Sequence, residues 1–180
     1  MIVAEADIEP GAVCVVDERF GEAYHPASNE LAINDFGVEA YLKSKGIEYH
    51  KILTGATLED TAVIYNQVIA ELFLKYPKRV GVMSFGQDLH TAGIFPGGNS
   101  IKSSDWVCCE SFDLKYPKRI TLTVKALNEF SNFIILVFDK TKKEAVSRLM
   151  SDDASSIEDY PAIFYRNTPA ECYLITDIAV

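Results

Sequence analysis

The chain has 180 residues, enough for one domain with a core of its own and too few for two comfortable ones. Hydrophobic residues make up 48% and charged residues 24%, which excludes a disordered chain; the longest strongly apolar run, Phe133 to Phe138, is six residues, against about 20 needed to cross a bilayer. Seventeen Lys and Arg against 26 Asp and Glu give a net charge of −9, a field that repels nucleic acid and anionic membranes, so neither is expected as a partner.

Ala12 to Val16 is an apolar run ending in Asp17, the pattern of a buried strand. Ser28 caps an expected helix running to about Lys45, weakened by Gly37 and stopped by Gly46. Thr57-Leu58-Glu59-Asp60 has the form of a capping box, and Leu58, Ala62, Tyr65, Ile69 and Leu72 then repeat at spacings of 4, 3, 4 and 3, one face of a helix. Further strands are expected at Arg79–Phe85, Trp106–Glu110, Ile120–Val124, Asn132–Phe138 and Cys172–Thr176. A second capping box, Thr141-Lys142-Lys143-Glu144, opens an expected helix carrying Ala145, Val146, Leu149 and Met150. Strands alternating with helices, without repeat or linker, predict a single α/β unit over 1–180: a mostly parallel, Rossmann-like sheet with helices on both faces.

The chain opens with no basic stretch leading into an apolar one, so no signal peptide is read and a cytoplasmic setting is expected. Cys14, Cys108, Cys109 and Cys172 form no C-x-x-C pair and have no metal-ligand spacing to His25, His50 or His90; they read as buried thiols in a reducing compartment, and no metal site is expected.

In open α/β sheets the working residues collect at the carboxyl ends of strands. Two polar clusters fall there: Asp17-Glu18-Arg19 after the first strand, and Gly86-Gln87-Asp88-Leu89-His90-Thr91 after the strand ending at Phe85. A carboxylate at Asp88 can accept the imidazole N–H of His90, fix its tautomer and leave the other nitrogen as a base. Asp17 and Arg19 read equally as a structural ion pair or a substrate clamp, while His25 and His50 read as structural or solvated.

The order of these segments carries more than any one of them. Asp17-Glu18-Arg19 followed by Pro26-Ala27-Ser28-Asn29 resembles the D-E-R…P-x-S-N stretch of the 6-phosphogluconolactonases, within the glucosamine-6-phosphate isomerase/6-phosphogluconolactonase superfamily. Gly86 to Gly97 resembles that family's G-x-D-G-H-T-A-S-L-F-P-G loop, and Pro117 to Thr123 with Ala126-Leu127-Asn128 is similar to its P-x-R-I-T-L-T…L-N signature. Val137 to Ala145 matches a strand–turn–helix that carries a Lys where this chain has Lys142, and the tail from Pro161-Ala162 to Asp177-Ile178-Ala179 follows the same pattern. The resemblance covers about residues 13–180.

The resemblance implies hydrolysis of 6-phospho-D-glucono-1,5-lactone to 6-phosphogluconate, a step of the oxidative pentose phosphate pathway. His90 would activate water as general base, oriented by Asp88, with Asp17 and Arg19 beside the lactone. Arg19, Arg119, Lys142 and Gly86 would bind the substrate. An Arg presents a fork of donors to a phosphate, whereas Lys acts as a point charge; Arg119 and Lys142 read equally as solvated cations. No cofactor is required, and the partner is a small sugar phosphate. Deaminases of the superfamily carry a Glu five residues after the loop His, where this chain has Phe95, and a Tyr where it has Arg19.

The chain departs from the pattern in three places. The family begins with a further strand–loop–helix–strand region that includes an S-G-G-S-T-P loop, and nothing in Ile2 to Gly11 resembles it. An N-terminally shortened sheet and an apolar face or strand edge left uncovered are therefore expected, where a second copy would pair as a homo-oligomer. Leu89 stands for Gly; if that position needs positive φ, Leu is strained by roughly 1–2 kcal/mol. Ser84-Phe85 replaces G-M, placing a large ring near the loop's entry. Beside the lactonase, two readings stay open: a non-catalytic sugar-phosphate binder or degenerate homologue, and a glucosamine-6-phosphate deaminase or isomerase.

Overall fold

The computed structural model describes residues 9–153 and 155–179, so most of the acidic N-terminal segment, residues 2–8, lies outside the described residues. Its elements in order are β1 (Ala12–Cys14), β2 (Asp17–Arg19), α1 (Asn29–Asp35), α2 (Val38–Ser44), β3 (Glu48–His50), α3 (Leu58–Lys75), β4 (Val80–Met83), β5 (Val107–Ser111), β6 (Lys118–Leu122), α4 (Val124–Leu127), β7 (Asn132–Val137), α5 (Lys143–Met150), α6 (Phe164–Asn167) and β8 (Glu171–Thr176). The α/β class and its parallel pairing are as read from the sequence: β1–β3, β4–β7 and β7–β8 are parallel. They are divided among three short sheets, of which β2-β6-β5 is antiparallel. Asp17–Arg19 is thus a strand of its own, paired with β6, and not a loop following β1.

Two local expectations change. The helix foreseen from Ser28 to Lys45 is two helices, because Gly37 takes φ 72° and turns the chain between them. Ser28 does cap the first, accepting the Leu31 N–H at 3.0 Å. The capping box at Thr141 does not form: Asp139, at φ 96°, accepts the Thr141 N–H at 2.9 Å and closes a 3-10 turn over Lys140–Lys142, and α5 begins only at Lys143. Thr57, in contrast, accepts the Asp60 N–H as foreseen, and Leu58, Ala62, Tyr65 and Ile69 of α3 are buried, with Leu72 packed against the core. The four cysteines are free and half-buried, and burial pushes the Cys14 thiol up to about 11.

The β4-β7-β8 sheet has two unlike faces. On one, Phe133, Ile135 and Val137 are buried, and Gly81 is required because a Cβ there would lie 2.6 Å from the Phe133 ring. On the other, the register sets Val82 beside Ile134 and Ile134 beside Tyr173. There Val80, Val82, Tyr173 and Ile175 are about half exposed. No described helix covers this face, which leaves an apolar surface exposed. Ile135→Ala should therefore cost about 2–5 kcal/mol in denaturant unfolding, while Val82→Ala on the bare face should cost less than about 0.5 kcal/mol.

Two glutamates with no exposure tie the first third of the chain together. Glu18 accepts the N–H groups of Arg19, Asn29 and Glu30 at 2.8–2.9 Å, joining β2 to the first turn of α1. Glu30 accepts those of Ile52 and Leu53 at 3.0 and 2.8 Å through Oε1, while its buried Oε2 has no partner. Burial pushes the Glu30 carboxyl up, the Glu18 charge adds to that, and the two amides pull it back in part. A carboxyl raised in the fold binds more protons there than in the unfolded chain. Its contribution to stability therefore grows as pH falls from neutral toward the ordinary carboxylate range near 4.3. Melting temperature followed from pH 7.5 to 5 should rise in the wild type and rise less in Glu30→Gln.

Candidate active site

The segment after β4 is a tight loop built by short hydrogen bonds. The Gly86 N–H donates to His90 O at 2.9 Å and the Leu89 N–H to Gly86 O at 3.1 Å. A second turn follows, in which Thr91 and Ile94 exchange backbone bonds. Thr91 anchors it, its hydroxyl bonding Ser84 O at 2.9 Å and Tyr165 Oη at 2.7 Å. Leu89 adopts φ 61° and is fully buried. Its position does need left-handed backbone, and burial of the side chain, worth about 2 kcal/mol, offsets a strain of similar size. Phe85 is also buried, in the core, so it does not crowd the loop's entry.

Within this loop Asp88 Oδ1 lies 2.5 Å from His90 Nδ1 and accepts the His90 backbone N–H at 3.2 Å. Donation from Nδ1 leaves the lone pair on Nε2. Burial opposes the charge of Asp88, but the hydrogen bond and charge of His90 outweigh it and hold the carboxyl below its ordinary range. Gly86 is required by contact: a Cβ there would overlap His90 Cε1 and Nδ1 and come within 2.6 Å of Asp88 Oδ1. Its own N–H is spent inside the loop, so the structure gives Gly86 a steric place and offers no amide to a substrate.

The loop packs on β2 and β6, which bring the other charged residues to it. The Gly93 N–H donates to Thr121 Oγ1 at 3.0 Å, and a Cβ on Gly93 would lie 3.5 Å from that of Asp17. Asp17 Oδ2 is 3.8 Å from Arg119 Nη1. Burial pushes the Asp17 carboxyl up against the pull of Arg119, Arg19 and His90. Arg119 is nearly buried, with Nε donating to Tyr116 O at 3.2 Å and its carbon 5.5 Å from the Phe95 ring centre. Arg19 Nη1 donates to Ala27 O at 3.1 Å and Asn29 Oδ1 at 3.0 Å. Lys142 stands on the other side of the loop, 3.4 Å from Ser84 Oγ at the end of β4. Asp17, Arg19, Asp88, His90 and Arg119 thus share one region, and Lys142 meets the loop's entry.

Asn29 is a member that the sequence reading passed over. It bonds Arg19, and its Nδ2 donates to Asp17 O at 2.8 Å, holding both ends of the D-E-R strand. Its only signal was its place in the P-x-S-N stretch. His25 is structural: Nδ1 accepts the Ala27 N–H, so Nε2 carries the proton donated to Arg19 O at 2.8 Å. His50 lies in β3, 3.6 Å from Glu48.

An α/β domain with a carboxylate–imidazole pair on a strand-end loop, flanked by two arginines, has the form of a site for general base chemistry on an anionic substrate. The chain belongs to the family of glucosamine-6-phosphate isomerases and 6-phosphogluconolactonases, whose model matches residues 3–173. It is 30% identical over 157 residues to a probable 6-phosphogluconolactonase 2 of Oryza sativa subsp. indica, covering 79% of this chain and 55% of that one. The chain thus spans about half the length of this curated relative. The fold matches a 6-phosphogluconolactonase from Thermotoga maritima with TM-score 0.73 and 22% identity over 92% of this chain and 72% of that one. It equally matches a monomeric glucosamine-6-phosphate deaminase with TM-score 0.75 and 18% identity over 98% and 77%.

Gly86→Ala should displace the His90 ring. Expected are a loss of at least about 1 kcal/mol in thermal unfolding and altered His90 ring signals in NMR, with core methyl signals unmoved.

Proposed function

We propose that the chain hydrolyses 6-phospho-D-glucono-1,5-lactone to 6-phosphogluconate, a step of the oxidative pentose phosphate pathway in the cytoplasm. The observation that carries the reading is the Asp88–His90 pair at 2.5 Å, with Nε2 left as acceptor, beside Arg19 and Arg119. In this reading His90 takes a proton from water as the oxygen adds to the lactone carbonyl, and Asp88 stabilises the imidazolium that forms. Collapse of the tetrahedral adduct breaks the ring C–O bond, and the imidazolium returns the proton to the departing alkoxide. Arg19 and Arg119 lie where they balance charge on the carbonyl oxygen or the phosphate, and Lys142 adds a cation at the loop's entry. Asp17 orients Arg119.

Phe95 supports hydrolysis over deamination. Where deaminases carry a carboxylate, this chain has an apolar ring facing His90, so the position itself supplies no acid for sugar ring opening. His90→Ala should lower kcat/KM for lactone hydrolysis, corrected for spontaneous opening, by about 10²–10⁴-fold, and Asp88→Asn by a smaller factor. A wild-type rate equal to the blank, together with stabilisation by 6-phosphogluconate in thermal shift, would instead identify a sugar-phosphate binder.

A further inference from the structure

We propose that Phe95 is a positioning residue that sets the ring plane of His90, an inference that rests on the hydrolase reading for its consequence but not for its geometry. The Phe95 and His90 rings are parallel within 15°, with centres 4.3 Å apart. Phe95 is nearly buried and is backed by Phe112, whose ring centre lies 4.7 Å away at 49°. The Thr91–Ile94 turn is what brings Phe95 back over His90, and it is locked by the Thr91 bonds to Ser84 and Tyr165.

The Asp88 pair cannot set the plane alone. The Asp88 side chain is 54% exposed and that of His90 34%. A hydrogen bond this open to water is weak, and rotation about the imidazole's second torsion is broad. A single contact at Nδ1 does not stop that rotation, which carries Nδ1 off Asp88 and releases the tautomer. Three constraints together remove that freedom: Gly86 presses on the Cε1–Nδ1 edge, Asp88 holds Nδ1, and Phe95 covers a face. The charged groups bearing on the ring are Asp88, Asp17 and, across Phe95, Arg119. Of these, Asp88 bonds the ring at one atom and does not fix its plane by itself. With the plane fixed, Nε2 keeps one direction, as activation of a water requires.

The test uses the full chain with Phe95→Leu, which keeps apolar bulk but removes the flat surface, and Phe95→Tyr, which restores it. Nitrogen-15 NMR of His90 at one pH reads the tautomer directly, and steady-state kinetics reads kcat and KM. In Phe95→Leu the Nδ1-protonated form should give way to a mixture, and kcat should fall about 10-fold or more with KM within about twofold. Phe95→Tyr should recover both. If Phe95→Leu unfolds, Phe112→Leu loosens Phe95 from behind and should give the same shifts in smaller measure. An unchanged tautomer in a folded Phe95→Leu or Phe112→Leu protein overturns the proposal, as does a KM rise with kcat intact. Should the wild type lack lactonase activity while the tautomer still shifts, the hydrolase reading falls and the positioning role stands.

Discussion

The buried carboxylate of Glu18 is the interaction on which the site's geometry rests. A charge with no access to water is tolerated only when it is fully bonded, and Glu18 meets that demand with the backbone amides of Arg19, Asn29 and Glu30. Those bonds fix the angle between β2 and α1. Arg19 and Asn29 can then meet, and Asn29 can hold Asp17 from its other end. Glu30 extends the tie to the Ile52–Leu53 segment, so the D-E-R strand is held from three directions by backbone groups.

The loop after β4 meets a different constraint. It has to bring Asp88 and His90 together within one turn, which leaves no room for a side chain at Gly86 and forces Leu89 into left-handed backbone. Burying Leu89 in the core converts an unfavourable torsion into an anchor, assisted by the Ala162 N–H, which donates to Leu89 O. The loop is therefore fastened to the core at Leu89, to the C-terminal region at Thr91 and Ala162, and to β6 at Gly93. A departure from the family's Gly that looks damaging in one dimension is compensated in three.

Much of this was legible in the residues. The 4-3-4-3 repeat and Thr57 marked α3, the apolar run marked β7, and the Asp88–His90 spacing marked the dyad, because each depends on neighbours close along the chain. Glu18 was not legible as a keystone: its partners are backbone amides, which carry no residue signature. Phe95 was visible as the Phe of the lactonase loop and as the residue standing where deaminases carry a Glu, and nothing in the spacing said that its ring would lie flat on His90. The Thr141 capping box failed because Asp139, two residues upstream, captured the same amide first.

The sequence by itself determined the alternation of strands and helices, the loop chemistry and the family to which the chain belongs, since local periodicity and collinear motifs encode these directly. Tertiary structure alone decided that the D-E-R segment is a strand, that Arg119 and Asp17 meet, and that Lys142 reaches only the entry of the loop. It also decided that one face of the β4-β7-β8 sheet carries Val82, Ile134 and Tyr173 in a row with no helix over them among the described residues. The physical reason is register: which strand pairs with which, and in which phase, depends on packing among residues about 40 to 100 positions apart, and a one-residue slip would turn every one of those side chains to the other face.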